Sequence, residues 1–183
     1  MDFLIDRQVE LSGPRLSESD VASFEAAHGV CFPDDYRRFM LAHNGGLVTG
    51  TDWHRPDQGV VTVTWNPGSR ARQQPSIVSA GSLFALSATE DQRFENLAWV
   101  MDELKEIADF PVLPDGAVPI GNDPGGNLFV LMCRAPLLGI VLYWDRTIIE
   151  GVTLLDLGYV ACSFAAFIIG LREQPGREDT NKA

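Results

Sequence analysis

The densest apolar patterning lies in one stretch, from Ala117 to Arg146. Two apolar runs of strand length, Asn127–Cys133 and Ile140–Trp144, are separated there by six residues that include a proline and a glycine. Alternate residues of the first run would face opposite sides of a sheet, and every residue from Leu128 to Cys133 is apolar. A strand that is apolar on both faces is covered on both faces. The pattern therefore predicts a buried hairpin whose first strand is central in the sheet.

Helical periodicity begins near the N-terminus. Ser17 and Asp20 have the spacing of a capping box, and the apolar residues after them predict a short helix that ends at Gly29. Pro33 suits the first turn of a second helix, for which Gly45 would supply the left-handed stop. The buried stripe of this second helix is predicted to be Tyr36, Phe39, Met40 and His43, with Arg37 and Arg38 pointing outward.

The rest of the chain predicts further elements of both kinds. Strands are predicted over Val60–Trp65, Gly81–Leu86 and Gly151–Leu157, and loops over Thr49–Gln58 and Ser69–Ser76. Gly121 to Gly126 reads as one tight turn, because it packs three glycines, a proline and two short polar residues together. A helix over Asp91–Asp109 would present an acidic outer face, and Ser163 would cap a last helix. We expect one domain over residues 1–173 and a disordered tail over 174–183.

Charge restricts the classes of partner. The chain carries a net charge of −11, and such a field repels nucleic acid and anionic membranes, both of which require cationic surface. It would speed the encounter with a cationic protein instead. The alternative is that the acidity only keeps the protein in solution.

Targeting signals also bear on the partners. The first six residues lack the basic region and long apolar stretch of a signal peptide, so we expect a cytoplasmic protein. The longest apolar run, Tyr159–Leu171, is shorter than the roughly 20 residues that cross a bilayer. We therefore expect no membrane partner.

Candidate catalytic chemistry is sparse. Lipase-type, zinc-protease and phosphate-loop motifs are absent from the sequence, so we predict no catalytic residue, no metal and no cofactor. One alternative is that the side chains of Asp52, His54 and Asp57, which lie in one predicted loop, bind a metal ion or transfer a proton. His28 and His43 are interpreted as structural residues at helix ends. The three cysteines, Cys31, Cys133 and Cys162, are interpreted as reduced core residues.

Tryptophans are candidates for binding anchors. Trp53 is the preferred one because it lies in a predicted loop among acidic residues. Trp65 and Trp99 could be either core residues or anchors, and Trp144 is interpreted as structural.

Three separated signatures resemble the SUKH superfamily, in its cell-wall-assembly-regulator branch. The first is Pro33-x-x-Tyr36 followed by Asn44-Gly45-Gly46. The second runs through Gly121, Asp123, Gly126 and Asn127 into Val141-x-x-Trp144-Asp145, and the third is Ser163 to Phe167. Pro124 departs from the small or acidic residues that are usual in the glycine turn of that family. Together the signatures cover most of Leu16–Leu171, although Gly46–Val112 matches only in outline.

The resemblance implies an α+β fold, in which helices pack on a curved, mostly antiparallel sheet. It also implies a function, because bacterial members resemble immunity proteins that bind a cognate toxin, frequently a nuclease, of a contact-dependent or secreted system. An acidic face suits a cationic toxin. The predicted contact surface is Asp52, Trp53 and Asp57 in the loop, with Asp91, Glu95, Asp102 and Glu103 on the helix. The alternatives are a regulatory scaffold without a toxin and, with less support, a metal-dependent enzyme using the Asp52–His54 loop.

Overall fold

A computed structural model describes residues 8–10, 12–49, 59–71, 76–86, 96–106, 113–148 and 151–171. Its strands are β1 Gln8–Glu10, β2 Gly46–Thr49, β3 Val60–Val63, β4 Ser76–Ser79, β5 Ser82–Leu83, β6 Ala117–Asn122, β7 Leu128–Met132, β8 Val141–Trp144 and β9 Gly158–Ala161. Its helices are α1 Glu18–His28, α2 Asp34–His43, α3 Leu97–Glu106 and α4 Phe164–Gly170, with a 3₁₀ turn at Leu154–Asp156. The predicted tail 174–183 lies outside the described residues.

The main sheet has seven strands in the order β1-β2-β5-β6-β7-β8-β9, and β3 pairs with β4 in a second sheet. Every strand pair in the described part of the chain is antiparallel. A bridge between Thr64 and Tyr159 joins the two sheets. The pairing register shifts between Pro119 and Gly121 and between Val141 and Leu142. The predicted α+β fold is confirmed.

The central hairpin is confirmed. β7 lies between β6 and β8, and all five of its residues are buried. Phe129 of β7 packs on Phe167 of α4 with ring centroids 5.0 Å apart, and Phe39 of α2 packs on Phe164 at 4.9 Å. These aromatic contacts fix α2 and α4 on the face of the sheet that carries Phe129.

Helix α1 has both ends that the sequence predicts. The Ser17 side chain accepts from the Asp20 amide, the Asp20 side chain accepts from the Ser17 amide, and Gly29 is left-handed with φ 64°. Arg37 does not point outward as predicted. It is half-buried and bridges Glu18 and Glu25 at 2.8 and 2.5 Å, because the two carboxylates of α1 face it across the helix pair.

Three element boundaries differ from the predictions. The left-handed residue that ends α2 is Asn44, with φ 50°, and Gly45 follows it with φ 76°. Gly121 belongs to β6, so the turn covers only Asp123 to Gly126. Helix α3 covers Leu97–Glu106. Asn96, which was predicted to be helical, instead forms a bridge with Ala85, and 91–95 and 107–109 lie outside the described residues.

The prediction of a strand over Gly151–Leu157 is wrong. Asp156 accepts hydrogen bonds from the amide and the hydroxyl of Thr153 at 3.0 and 2.9 Å, which closes a 3₁₀ turn. Such local side-chain bonds compete with strand pairing. The last strand is β9, immediately after this turn.

Two short strands, β2 and β4, were not predicted. β2 begins at Gly46, and Thr49, which was assigned to a loop, ends it. β4 starts at Ser76, the last residue of another predicted loop. Both strands are four residues long and carry only two large apolar residues each, so they do not stand out from loop sequence.

The interpretation of all three cysteines as core residues is wrong for two of them. Cys133 is buried, but Cys31 and Cys162 are exposed. The reason is that both follow or precede a helix, in the connections α1–α2 and β9–α4, where the chain turns at the surface. Burial raises the pKa of the Cys133 thiol to about 12.

Candidate protein-binding site

The predicted contact surface is only partly within the described residues. Asp102 and Glu103 lie on α3. The other five residues of the predicted contact surface lie outside the described residues: Asp52, Trp53, Asp57, Asp91 and Glu95. His54 also lies outside them. The geometry of the candidate site therefore comes from α3.

Helix α3 is held at its start by local and sheet contacts. The Asn96 side chain accepts from the amides of Ala98 and Trp99 at 2.9 and 3.2 Å, so it satisfies amides of the first turn. The Ala85 carbonyl accepts from the Leu97 amide at 2.7 Å. The inward stripe is Leu97, Val100 and Leu104, all buried.

The outer face of α3 carries an exposed tryptophan. Trp99 is 57% exposed, a large value for so apolar a side chain. Asp102 and Glu103 stand three and four positions later, so both neighbour Trp99 on the helix surface. Asp102 is exposed and Glu103 is half-buried. We call these three residues the α3 patch.

The α3 patch has the chemistry to bind a cationic side chain. An indole ring attracts a guanidinium or ammonium group over its face, and a carboxylate one turn away can pair with the same group. Tryptophan is also enriched among the residues that dominate binding energies. The sequence contained a signal for this exposure, because Trp99 falls off the helical stripe of Leu97, Val100 and Leu104.

The other tryptophans within the described residues are internal. Trp65 is 7% exposed and packs against Tyr143 with ring centroids 6.0 Å apart. Trp144 is 1% exposed, and its indole nitrogen donates to the Ile148 carbonyl at 2.8 Å. Neither ring is available as an anchor on the surface.

The Asn44-Gly45-Gly46 motif joins three segments. The buried Asn44 side chain donates to the Pro14 carbonyl at 2.8 Å and accepts from the Leu86 amide at 2.7 Å. A Cβ at Gly45 would lie 2.7 Å from the Phe84 carbonyl, so only glycine fits there. Gly46 then pairs with Leu83 in the sheet.

Asp123 organises the glycine turn. One of its oxygens accepts from the amides of Gly125 and Asn127 at 2.8 and 2.9 Å. The other accepts from the Asn127 side chain at 2.9 Å and from the Tyr143 hydroxyl at 2.5 Å. Burial, together with this bond to Asp123, raises the pKa of Tyr143. The exposed Pro124 stands second in the turn, the position that proline favours.

The remaining motif residues also make internal contacts. Gly126 is left-handed with φ 83°, and Pro33 is the residue that caps α2. Tyr36 is fully buried between Phe32 and Phe164, with ring centroids 5.0 and 4.9 Å apart. Asp145 accepts from the amide and hydroxyl of Thr147 at 3.1 and 2.8 Å. These contacts give the motif side chains, apart from the Tyr36 hydroxyl, a role in packing or hydrogen bonding within the fold.

Two further findings concern ligands and membranes. Among the described residues, no three His, Cys, Asp or Glu side chains converge in a way that could hold a metal ion. None of the helices there combines the length and apolar composition required to cross a lipid bilayer.

Comparison with known proteins places this fold in a family. The chain is 40% identical over 48 residues to the uncharacterized protein YobM of Bacillus subtilis (strain 168). This match spans 26% of the chain and 24% of YobM, well under two thirds of that relative's length. The family model of SMI1/KNR4 (SUKH-1) matches residues 15–170, from the α1 capping box to the last residue of α4. The chain therefore belongs to the SMI1/KNR4 family (SUKH-1).

Proposed function

We propose that this protein is a non-enzymatic immunity protein that binds a cognate cationic toxin, such as a nuclease, and neutralises it stoichiometrically. The observation that carries the proposal is the α3 patch, an exposed Trp99 with Asp102 and Glu103 one turn later. Family membership supports a protein partner, since the resemblance described above implies such partners for bacterial members.

The charge of the whole molecule supports a cationic partner. A net charge of −11 gives a long-range attraction for a basic surface, and basic surfaces are what nucleases use to hold nucleic acid. If a nuclease bound the α3 patch through its basic, nucleic-acid-binding groove, nucleic acid could no longer enter that groove. Inhibition then requires binding alone and no reaction.

The first test is rescue of growth. A toxin encoded beside this gene would be expressed with and without the protein, and co-expression is expected to restore growth. Rescue that fails for every neighbouring toxin, together with copurification of housekeeping proteins, would instead favour the regulatory scaffold.

The α3 patch has its own test. Trp99→Ala is expected to weaken toxin binding about 30-fold, because loss of a central tryptophan anchor costs about 2 kcal/mol. Calorimetry on the purified pair would measure the dissociation constant. Tyr159→Ala is the matched control, since Tyr159 is an aromatic residue 44% exposed on β9. Equal affinities for wild type and the Trp99 variant would remove the α3 patch from the interface.

A further inference from the structure

Three connections meet at one end of the fold and line a groove of about 720 Å³. They are the α1–α2 connection from Gly29, the β7–β8 connection that begins at Cys133, and Cys162-Ser163 between β9 and α4. The volume lies within the range of sites that bind small ligands or short peptide segments. No residue of the α3 patch lines the groove.

Hydrogen bonds between the connections hold the groove in shape. Arg134 pairs with Asp115 and also donates to the Gly29 carbonyl at 3.3 Å, which ties the β7–β8 connection to the end of α1. Asp35 accepts from the Ala165 amide at 2.8 Å, which ties α2 to α4. A groove held by such contacts binds with a smaller loss of conformational entropy than a mobile one.

The walls of the groove consist of apolar side chains and of cysteine thiols. Val30, the buried Phe32 and Leu138 line it, and Leu138 is 53% exposed. All three cysteines line it as well, with Cys31 and Cys162 exposed and Cys133 buried. An apolar side chain of a partner could cover Leu138 and Val30.

The rim of the groove is acidic. Arg134 is its cationic residue, and the Asp115 carboxylate already compensates that charge. Asp35 is engaged by backbone amides of Tyr36 and Ala165. Asp34 is exposed, and its carboxylate makes no hydrogen bond or ion pair within the described residues. Asp34 therefore offers a carboxylate to an incoming cation, in a molecule whose overall charge attracts one.

We propose that this groove is a docking site for an extended segment of a protein partner in which a lysine or arginine stands beside an apolar side chain. The apolar side chain covers Leu138 and Val30, and the cation pairs with Asp34. The groove would serve any partner with such a segment, whether or not that partner is a toxin.

The native cysteines report occupancy of the groove. The full-length protein would be labelled with N-ethylmaleimide, and the rates at Cys31 and Cys162 would be followed by mass spectrometry. The probes are two synthetic peptides of sequence LKLRLK and LELDLE. LKLRLK at ten times its dissociation constant is expected to slow labelling of both cysteines about tenfold, since only the free protein reacts. LELDLE is expected to leave both rates unchanged.

A charge-matched pair of variants separates the groove from general electrostatics. Asp34→Asn is expected to weaken LKLRLK binding about threefold, as for the loss of one exposed ion pair. Glu18→Gln removes the same charge at the first residue of α1, at the other end of that helix from Gly29, and is expected to leave that affinity unchanged. Unchanged labelling with LKLRLK, equal protection by LELDLE, or equal weakening by the two variants would each overturn the docking site. Growth rescue by the Asp34→Asn variant tests only the toxin proposal, because it does not measure occupancy of the groove. Either proposal can therefore fail while the other holds.

Discussion

Two tyrosines show that a hydroxyl group lowers stability when it has no hydrogen-bond partner and raises stability when it has one. The Tyr36 hydroxyl is buried and has no hydrogen-bond partner among the described residues. The Tyr143 hydroxyl, by contrast, donates to Asp123 at 2.5 Å. A buried polar group without a partner loses its bonds to water and gains none, whereas a bonded one recovers them.

Tyr36→Phe is therefore expected to raise the free energy of unfolding by about 1 kcal/mol, because it removes an unsatisfied buried hydroxyl. Tyr143→Phe is expected to lower it by about 1.5 kcal/mol, because it removes one of the four hydrogen bonds that the Asp123 carboxylate accepts. Urea denaturation with an unchanged m value would measure both. A loss of stability in the Tyr36 variant would show that its hydroxyl has a partner.

Asp156 is a second residue whose environment sets its energetics. It is 3% exposed and accepts from the Arg70 guanidinium at 2.9 and 2.7 Å, as well as from Thr153. The bonds from Arg70, followed by those from Thr153, hold the pKa of Asp156 well below its usual range. The carboxylate therefore stabilises the fold above its unfolded pKa of about 4, and this contribution is lost as the pH falls further.

Asp156→Asn is expected to cost about 2 kcal/mol of unfolding free energy at neutral pH, the scale of hydrogen bonds to a charged group. Since asparagine does not titrate, the difference from wild type should shrink as the pH is lowered below about 4. Urea titrations from pH 7 to pH 2.5 would measure it. Asp34→Asn serves as the exposed control, with a change of at most about 0.5 kcal/mol throughout. A difference for Asp156→Asn that stays constant with pH would contradict this account.

At the scale of elements, α4 is capped from two places. Ser163 accepts from the Ala166 amide at 3.0 Å, and Asp35 on α2 accepts from the Ala165 amide at 2.8 Å. Sequence alone identifies the first cap, because serine precedes the helix directly. It cannot identify the second, since 130 residues separate Asp35 from Ala165.

Asp35→Ala is expected to destabilise the fold by about 1.5 kcal/mol, because an amide in the first turn of α4 loses its acceptor. Asp34→Ala alters the adjacent exposed carboxylate on the same turn of α2, and should cost at most about 0.5 kcal/mol. Thermal unfolding of the two variants side by side would compare them. Equal losses would mean that the helix dipole of α2, and not the cap of α4, determines the effect.

The strands illustrate the same difference between local and distant causes. β7 was predictable because both of its faces are apolar over the full strand. β9 was misplaced because bonds from Thr153 to Asp156 close a turn before it, and Arg70 binds the same carboxylate from 86 residues away. Likewise, Gly158 is required because a Cβ there would lie 2.2 Å from Val63 of the second sheet.

At the scale of the whole molecule, the net charge of −11 is the dominant electrostatic property. It acts over roughly 10 Å at 0.1 M salt and over shorter distances as salt increases. If the partner is cationic, the charge accelerates association more than it slows dissociation.

Association with the cognate toxin is expected to slow about tenfold between 0.05 and 0.5 M sodium chloride, with a smaller change in the dissociation rate. Surface plasmon resonance would give both rates. The Asp102→Asn and Asp34→Asn variants should each reduce the salt dependence slightly, because each removes one unit of charge. An association rate that is independent of salt would contradict a cationic partner.

The sequence by itself determined the elements whose causes are local. Helix caps, helical stripes and a strand apolar on both faces each depend on residues that are close together in the sequence. For this reason α1, α2, the β7–β8 hairpin and α4 could be located without coordinates. It also determined the acidic field and the motifs of the family.

Only the tertiary structure decided which distant residues meet. It brought Cys31, Cys133 and Cys162 to one groove, exposed Trp99 on the outer face of α3, and placed Asp35 at the start of α4. Such juxtapositions arise from the packing of elements far apart in the chain, and no pattern of neighbouring residues encodes them.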